Sequence, residues 1–337
     1  DTPILLFGNE PWKPYNRVKL SSLLANEMSW DDITSQDWQA IETDKNTNTR
    51  LNCPIVSVDK DNKVVVDDTG TEHEYSQLIV AIGSRPYVPN IPGAEMKGVY
   101  TFRDLNDVQA LIARNVRSRH ICVLGGGLLG LETAKALCRH NTQVTVIQRA
   151  EHLMNNQLDK VAADLLQKTV EAEKVNVRCG DGVVEVLGDT SVQGIKFRSG
   201  EEFDCDTVIL ATGIIPNRGL ALQAGLAVGK GIKVNNSLQT SDPHIYAIGE
   251  CAEHQGQTYG LVAPGFEQAA IAARHIVEAD DKSSYLGSTT AAELKVVGEQ
   301  VFSIGELYGP LAPFVKEWVY NKDGIYPKII TRRGKII

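Results

Sequence analysis

The stretch "HICVLGGGLLGLETAKAL", His120 to Leu137, constrains the fold more than any other. A short apolar segment runs straight into three glycines and then into apolar residues spaced as on one face of a helix. Gly125, Gly127 and Gly130 satisfy G-x-G-x-x-G, and "QVTVIQ" supplies a second strand within one βαβ length. The glycines serve three separate ends, namely a tight turn, backbone approach to a pyrophosphate, and close packing of helix on strand. The helix N-terminus beyond them favours an anion. Strand, loop and helix in this order predict a dinucleotide site, with Leu129 in the first helical turn, and not merely a tight β–α turn.

The choice of dinucleotide is read about 20 residues further on, where an acidic side chain would hold the ribose hydroxyls of NADH. Gln148 and Arg149 stand there instead. A neutral amide beside a guanidinium removes the repulsion of a 2′-phosphate and so admits NADPH, whereas a glycine at position 130 is common with NADH. NADH and NADPH both stay open.

The same grammar recurs. "LIVAIGSRP", with Ala81 and Gly83, and "VILATGIIPN", with Gly213, are each a β-rich run, then Ala-x-Gly, then a proline within three residues. Two copies of one device imply two related nucleotide-binding domains. "ILLFG" reads as a short buried strand. "NCPIVSVDKDNKVVVDDTGTEHEYSQLIVAIG" reads as an antiparallel meander followed by a buried strand over Gln77 to Ala81. Helices are predicted from about Leu105 to Arg117 and over "PGFEQAAIAARHIVEA", and the β-rich tail from "TTAAELKVVGEQ" as a third, sheet-containing domain.

A length of 337 residues suits two or three domains, and 42% apolar with 23% charged residues suits a soluble globular chain. With a net charge of −8 and scattered basic residues nothing suggests a nucleic-acid surface, and the short basic end "TRRGKII" reads as a solvated strand edge. Six cysteines without CxxC pairing read as reduced thiols of a cytoplasmic protein. No apolar run reaches the ~18 residues of a membrane span, so no membrane partner is expected. The chain opens inside a strand with no initiating methionine, which reads as a truncated or processed start.

With the glycine unit, both Ala-x-Gly turns and "IYAIGECA" in hand, the chain resembles the FAD-dependent pyridine-nucleotide oxidoreductases of the glutathione-reductase superfamily. "PYNRVKLSSLL", "QLD" and "GECAEHQGQTYGLVAPGFEQA" most resemble the FAD/NAD(P)H module of assimilatory NAD(P)H-nitrite reductase large subunits, and also rubredoxin and ferredoxin reductases. The resemblance implies an α/β fold with two Rossmann-like domains. The FAD domain would take residues 1–103 and 239–282, the inserted NAD(P)H domain 104–238, and a small α+β interface domain, which in the family often mediates homodimers, 283–337. It implies too that the first FAD-domain strand and its own G-x-G-x-x-G, roughly 30 residues, are missing from the chain.

By resemblance, Glu10 meets the FAD adenosine ribose, Arg17 runs along the pyrophosphate and flavin, and Ile55, Ala81 and Gly83 bring backbone to the adenosine half. Arg103 approaches the isoalloxazine; a domain-bridging ion pair is its other reading, as a solvated turn acid is for Glu10. Gly249 and Glu250 stand where the family contacts the ribitol, usually with aspartate. Val262 begins the turn into a helix at Gly265 whose positive end would face flavin N1 and O2 and stabilise a reduced, anionic flavin. Glu132 occupies the position that orients the nicotinamide; simple compensation of the helix dipole is its other reading.

In that family hydride passes from nicotinamide to flavin, and members differ in the acceptor. No CxxxxC redox pair is present, and Ser21 and Ser22 stand where a single-cysteine oxidase or peroxidase carries its thiol, so those branches are disfavoured. Ferredoxin and rubredoxin reductases often carry lysine at the position of Ser22. Cys251 and His254 have CxxH spacing but no second ligand pair, whereas a zinc site takes four ligands, so no metal is assigned. The expected activity is NAD(P)H:acceptor oxidoreduction with FAD. Electrons would leave for iron–sulfur and sirohaem domains or for a rubredoxin or ferredoxin. The rival from another class is a nucleotide-binding scaffold that has lost FAD and turnover.

Overall fold

The computed structural model describes residues 3–34, 38–278, 284–289, 291–296, 299–305, 315–320, 325–332 and 335–336. The fold is mixed α/β, and the chain divides into two compact units. One comprises residues 1–17, 29–85 and 214–288, and the other 18–28, 86–213 and 289–337.

The second unit is built on a five-stranded parallel sheet. Its spatial order is Val175–Cys179, Gln143–Gln148, His120–Leu124, Thr207–Leu210 and Val99–Thr101. Val144, Val146, Val123 and Val208 are fully buried, which is why these strands are continuous apolar runs and not alternating ones. His120–Leu124 has its sequence successor on one side and Thr207–Leu210 on the other, so the strand order reverses beside it. In open α/β sheets such a switch point is where ligands bind.

Two helices flank the relevant strands. Leu105–Asn115 is capped by Asp104, whose side chain accepts from the Asp107 amide, and it turns Leu105, Val108 and Leu111 inward. Leu128–Leu137 follows the glycine loop and buries Leu131, Ala134 and Leu137. An antiparallel three-stranded sheet, Val183–Gly188, Val192–Phe197 and Glu202–Asp204, packs Val186, Ile195 and Phe197 into one core with Cys122, Leu124 and Val208. The β-rich tail forms an antiparallel hairpin, Ala291–Val296 with Glu299–Ile304. Beyond it a small antiparallel sheet of Val315–Val319, Lys328–Arg332 and Lys335–Ile336 has the last strand at its edge. Tyr326 Oη and Lys328 Nζ both donate to Asp159 Oδ2, at 2.9 and 3.1 Å, tying this sheet to the residue that caps helix Lys160–Ala172.

The first unit holds shorter sheets. The meander is present as Ile55–Asp59, Val64–Asp67 and Glu72–Glu74, antiparallel throughout. Its Asp67 carboxylate accepts from Thr69, Thr71 and His73, and these bonds, the Thr69 hydroxyl first, hold its pKa far below the usual carboxylate range. Ile245–Ala247 pairs in parallel with Leu78–Val80, and a core of Ile232, Ile245, Ala247, Cys251 and Ala252 forms around it. Helix Val262–Glu278 contributes the fully buried Ala272 to a second cluster with Leu238, Tyr246 and Tyr285.

Two expectations about burial are corrected. Ile4–Phe7 is a strand, yet Ile4, Leu5 and Leu6 are 56%, 38% and 38% exposed. Among the described residues it pairs along one edge only, with Thr47–Arg50, and a two-stranded ribbon covers neither of its own faces. The strand predicted over Gln77 to Ala81 is shorter, Leu78–Val80, and only Val80 is buried, for the same reason. Helix Leu105–Asn115 stops two residues before Arg117.

Candidate functional site

The glycine loop lies at the C-terminal end of His120–Leu124, at the switch point. Gly125 has φ +121°, and a Cβ there would lie 2.2 Å from the Ala211 carbonyl oxygen at the end of the neighbouring strand. A Cβ on Gly130 would lie 1.9 Å from the Gly125 carbonyl oxygen. Both glycines are therefore required by backbone crowding, one for the turn and one for helix–strand approach. Gly127 differs: its φ is −88°, and nothing lies within 4 Å of where its Cβ would be. It is the N-cap of Leu128–Leu137 and offers no side-chain acceptor, so no capping side chain takes up the first-turn amides, Leu129 among them. This arrangement fits an anion held by backbone amides at a helix start.

Gln148 closes one side of the loop. Its Oε1 accepts from the Gly126 amide at 3.0 Å and its Nε2 donates to Asn155 Oδ1 at 2.8 Å, which fixes the amide's orientation. The Met154 amide adds a bond to the Gly126 carbonyl at 2.9 Å, made with Met154 at φ +46°. Arg149 lays its stem over Gly182, and among the described residues it makes no ion pair, leaving its guanidinium available to an anion. Sequence reasoning found Gln148 and Arg149 but missed Asn155, whose only signal was its place in the "MNNQ" turn.

Glu132 sits in the same helix between buried Leu131 and Thr133. Burial pushes its carboxyl above the usual range, and a hydrogen bond from Ser21 Oγ, 3.0 Å from Oε2, opposes that shift. Arg103 lies one residue before the cap of Leu105–Asn115, where its amide donates to Asp107 Oδ2 at 2.7 Å. Gly213 has φ +116° and open space at its Cβ position, and its carbonyl accepts from the Tyr87 amide at 2.9 Å.

The first unit gathers the other candidates into two groups. Around Gly83, at φ +60°, the next residue Ser84 donates from Oγ to Glu250 Oε2 at 2.8 Å. Gly249 has φ +73° with nothing within 4 Å of its Cβ position, and its amide donates to Gln268 Oε1 at 2.7 Å. A Cβ on Gly265 would lie 3.6 Å from Gly249 Cα, so the first turn of Val262–Glu278 comes up against this open backbone. Ala81 and Val262 are exposed. Gly249 thus leaves backbone open beside the exposed helix start at Val262, with Gly83 and the Ser84-bonded Glu250 carboxylate next to it, an arrangement that fits an extended ligand such as a flavin with its ribitol.

The second group pairs two candidates directly. Arg17 forms an ion pair with Glu10, and Tyr15 Oη donates to Glu10 Oε2 at 2.6 Å. The Glu10 carbonyl accepts from the Asn52 amide and the Gly8 carbonyl from the Cys53 amide, both at 2.9 Å, which holds this turn near the start of Ile55–Asp59, where Ile55 is half-buried. His254 of the CxxH spacing is occupied otherwise: its Nε2 meets Asn236 Oδ1 at 2.9 Å and its ring packs on Tyr285.

Comparison with known proteins agrees with this geometry. The chain is 40% identical over 334 residues to a nitrite reductase [NAD(P)H] of Bacillus subtilis, with 99% of this chain and 41% of that protein covered. It is 42% identical over 307 residues to the assimilatory nitrate reductase electron transfer subunit of the same organism, covering 90% and 39%. The chain therefore spans about two fifths of the length of these relatives. In structure it resembles a ferredoxin reductase from Rhodopseudomonas palustris, with a TM-score of 0.88 at 24% identity over 99% of this chain and 83% of that one. Residues 1–275 match the model of the pyridine nucleotide-disulphide oxidoreductases, and the chain belongs to that family.

Proposed function

We propose that the chain is the electron-input module of an NAD(P)H:acceptor oxidoreductase of the assimilatory nitrite reductase type, binding FAD and NADH or NADPH. The observation that carries this reading is the loop at Gly125–Gly130. Its switch-point position, crowded glycines and helix start without a side-chain cap leave backbone amides to meet a pyrophosphate. Gly125, Gly127, Leu129 and Gly130 would hold the NAD(P)H pyrophosphate, Gln148 and Arg149 its adenosine ribose, and Glu132 its nicotinamide, with Gly213 beside the loop. Glu10, Arg17, Ile55, Ala81, Gly83, Arg103, Gly249, Glu250 and Val262 would hold FAD.

When bound, the two cofactors supply hydride transfer and the split into single electrons. The chain's own residues bind and orient. The Gln148 amide braces the glycine loop through Gly126, Arg149 offers charge to the ribose, and Glu132 offers a carboxyl oxygen. Electrons would pass to iron–sulfur and sirohaem domains, or to a separate rubredoxin or ferredoxin, in the cytoplasm. Among the described residues no helix is long and apolar enough to cross a membrane.

Turnover of the protein in its native reading frame, with FAD, NADH or NADPH and a dye acceptor, tests this reading. Dye reduction with either nucleotide is the expected result. A colourless protein that binds NAD(P)H, refuses FAD and does not turn over would replace it with the scaffold reading.

A further inference from the structure

Ser21 is 111 residues from Glu132 in sequence, yet its hydroxyl lies 3.0 Å from Glu132 Oε2. The register is fixed by packing. Ser21 belongs to the short helix Leu20–Leu24, whose Leu20 and Leu24 are each 3% exposed, and that helix packs against Leu128–Leu137 within one compact unit. On the opposing helix Leu131 and Thr133 are buried on either side of Glu132, and Thr133 Oγ1 bonds back to the Leu129 carbonyl at 2.5 Å. Among the described residues Ser21 is the sole side chain hydrogen-bonded to the Glu132 carboxyl; no cation is paired with it, and Oε1 carries no bond.

We propose that Ser21 is the positioning residue of the nicotinamide end of the site: by occupying Oε2 it selects one orientation of the Glu132 carboxyl and leaves Oε1 turned toward the cofactor's carboxamide. This rests on the reading of Glu132 as the residue that orients the nicotinamide. A half-buried carboxyl at the end of a rotatable chain would otherwise sample several orientations, and each costs the bound ring its alignment. A hydroxyl suits this role better than an ammonium, because it fixes direction without drawing the carboxylate's charge away from the ligand. Burial disfavours the charged carboxylate and the Ser21 bond opposes that, so the same contact helps keep Oε1 an acceptor.

The test uses the intact flavin-loaded protein and three variants. Ser21→Ala should slow flavin reduction at saturating NAD(P)H about five- to tenfold, the scale of one hydrogen bond, with nucleotide affinity within about twofold of the parent. Ser21→Thr, which keeps the hydroxyl, should restore the rate. Isotope-edited infrared spectroscopy without nucleotide should show the Glu132 carboxyl stretch shifted in Ser21→Ala and returned in Ser21→Thr. Parent-like reduction in Ser21→Ala overturns the proposal, as does a slowed rate with an unmoved carboxyl band. Glu132→Gln separates the two layers. If it reduces flavin at the parent rate, the reading of Glu132 has failed; if it is slow while Ser21→Ala is not, only the role of Ser21 has failed.

Discussion

Arg149 and Glu132 carry the clearest consequences at the scale of single residues. Arg149 lies over Gly182 with no ionic partner among the described residues, beside a Gln148 whose amide is already committed to Gly126 and Asn155. If the guanidinium reads a 2′-phosphate, Arg149→Ala weakens NADPH by roughly 1.5–3 kcal/mol, one to two decades, and leaves NADH nearly unchanged. Titration of both nucleotides checks this, and equal losses would remove Arg149 from the site. For Glu132, burial raises the folded-state pKa above the unfolded one, so the native protein binds that proton more tightly. The associated stability is fully present below the ordinary glutamate pKa and is lost as pH rises through the folded value. The Tm of the parent relative to Glu132→Gln should therefore fall from acidic toward neutral pH; a pH-independent difference would contradict it. The place of Glu132 on the helix was legible in the sequence because it follows a recognisable loop at fixed spacing. Ser21 was not legible as its partner, since nothing local marks a contact between two helices so far apart in the chain.

At the scale of elements, the strand, glycine loop and helix were legible because the crowded glycines answer a backbone constraint that no other residue meets. The constraints differ along the loop, and that gives a paired prediction. Gly130→Ala would push a Cβ into the Gly125 carbonyl and should destabilise the fold by about 1–3 kcal/mol, with nucleotide binding lost alongside. Gly127→Ala meets no atom and keeps an allowed φ, so it should cost no more than about 0.5 kcal/mol as a cap change. It should still weaken NAD(P)H at least about tenfold, because the methyl would occupy the approach to the helix amides. Thermal melts and nucleotide titration of the two variants decide, and parent-like affinity in Gly127→Ala would show that the open space is not where the cofactor lies. Burial of short strands was less legible. "ILLF" is apolar enough for a core strand, but how much of a strand is covered depends on the neighbours it finds, and Ile4–Phe7 finds one. The pairing of Glu10 with Arg17 was likewise hidden, because residue type predicts a ligand or an ion pair equally well.

At the scale of the whole molecule, the chain divides into two compact units, and the two Ala-x-Gly turns lie at the sequence boundaries between them: Gly83 at φ +60° and Gly213 at φ +116°. One unit carries the loop and Arg149, the other the open backbone at Gly249 with Gly83 and Glu250. The chain spans about two fifths of the length of its nitrite- and nitrate-reductase relatives, so the acceptor is a question for the whole protein. The central claim concerns electron entry, and it is tested most directly by anaerobic titration of the flavin-loaded protein with NADH and NADPH, followed at the oxidised-flavin absorbance. The account predicts complete bleaching at one equivalent of the preferred nucleotide; a flavin that stays oxidised in excess of both would contradict it.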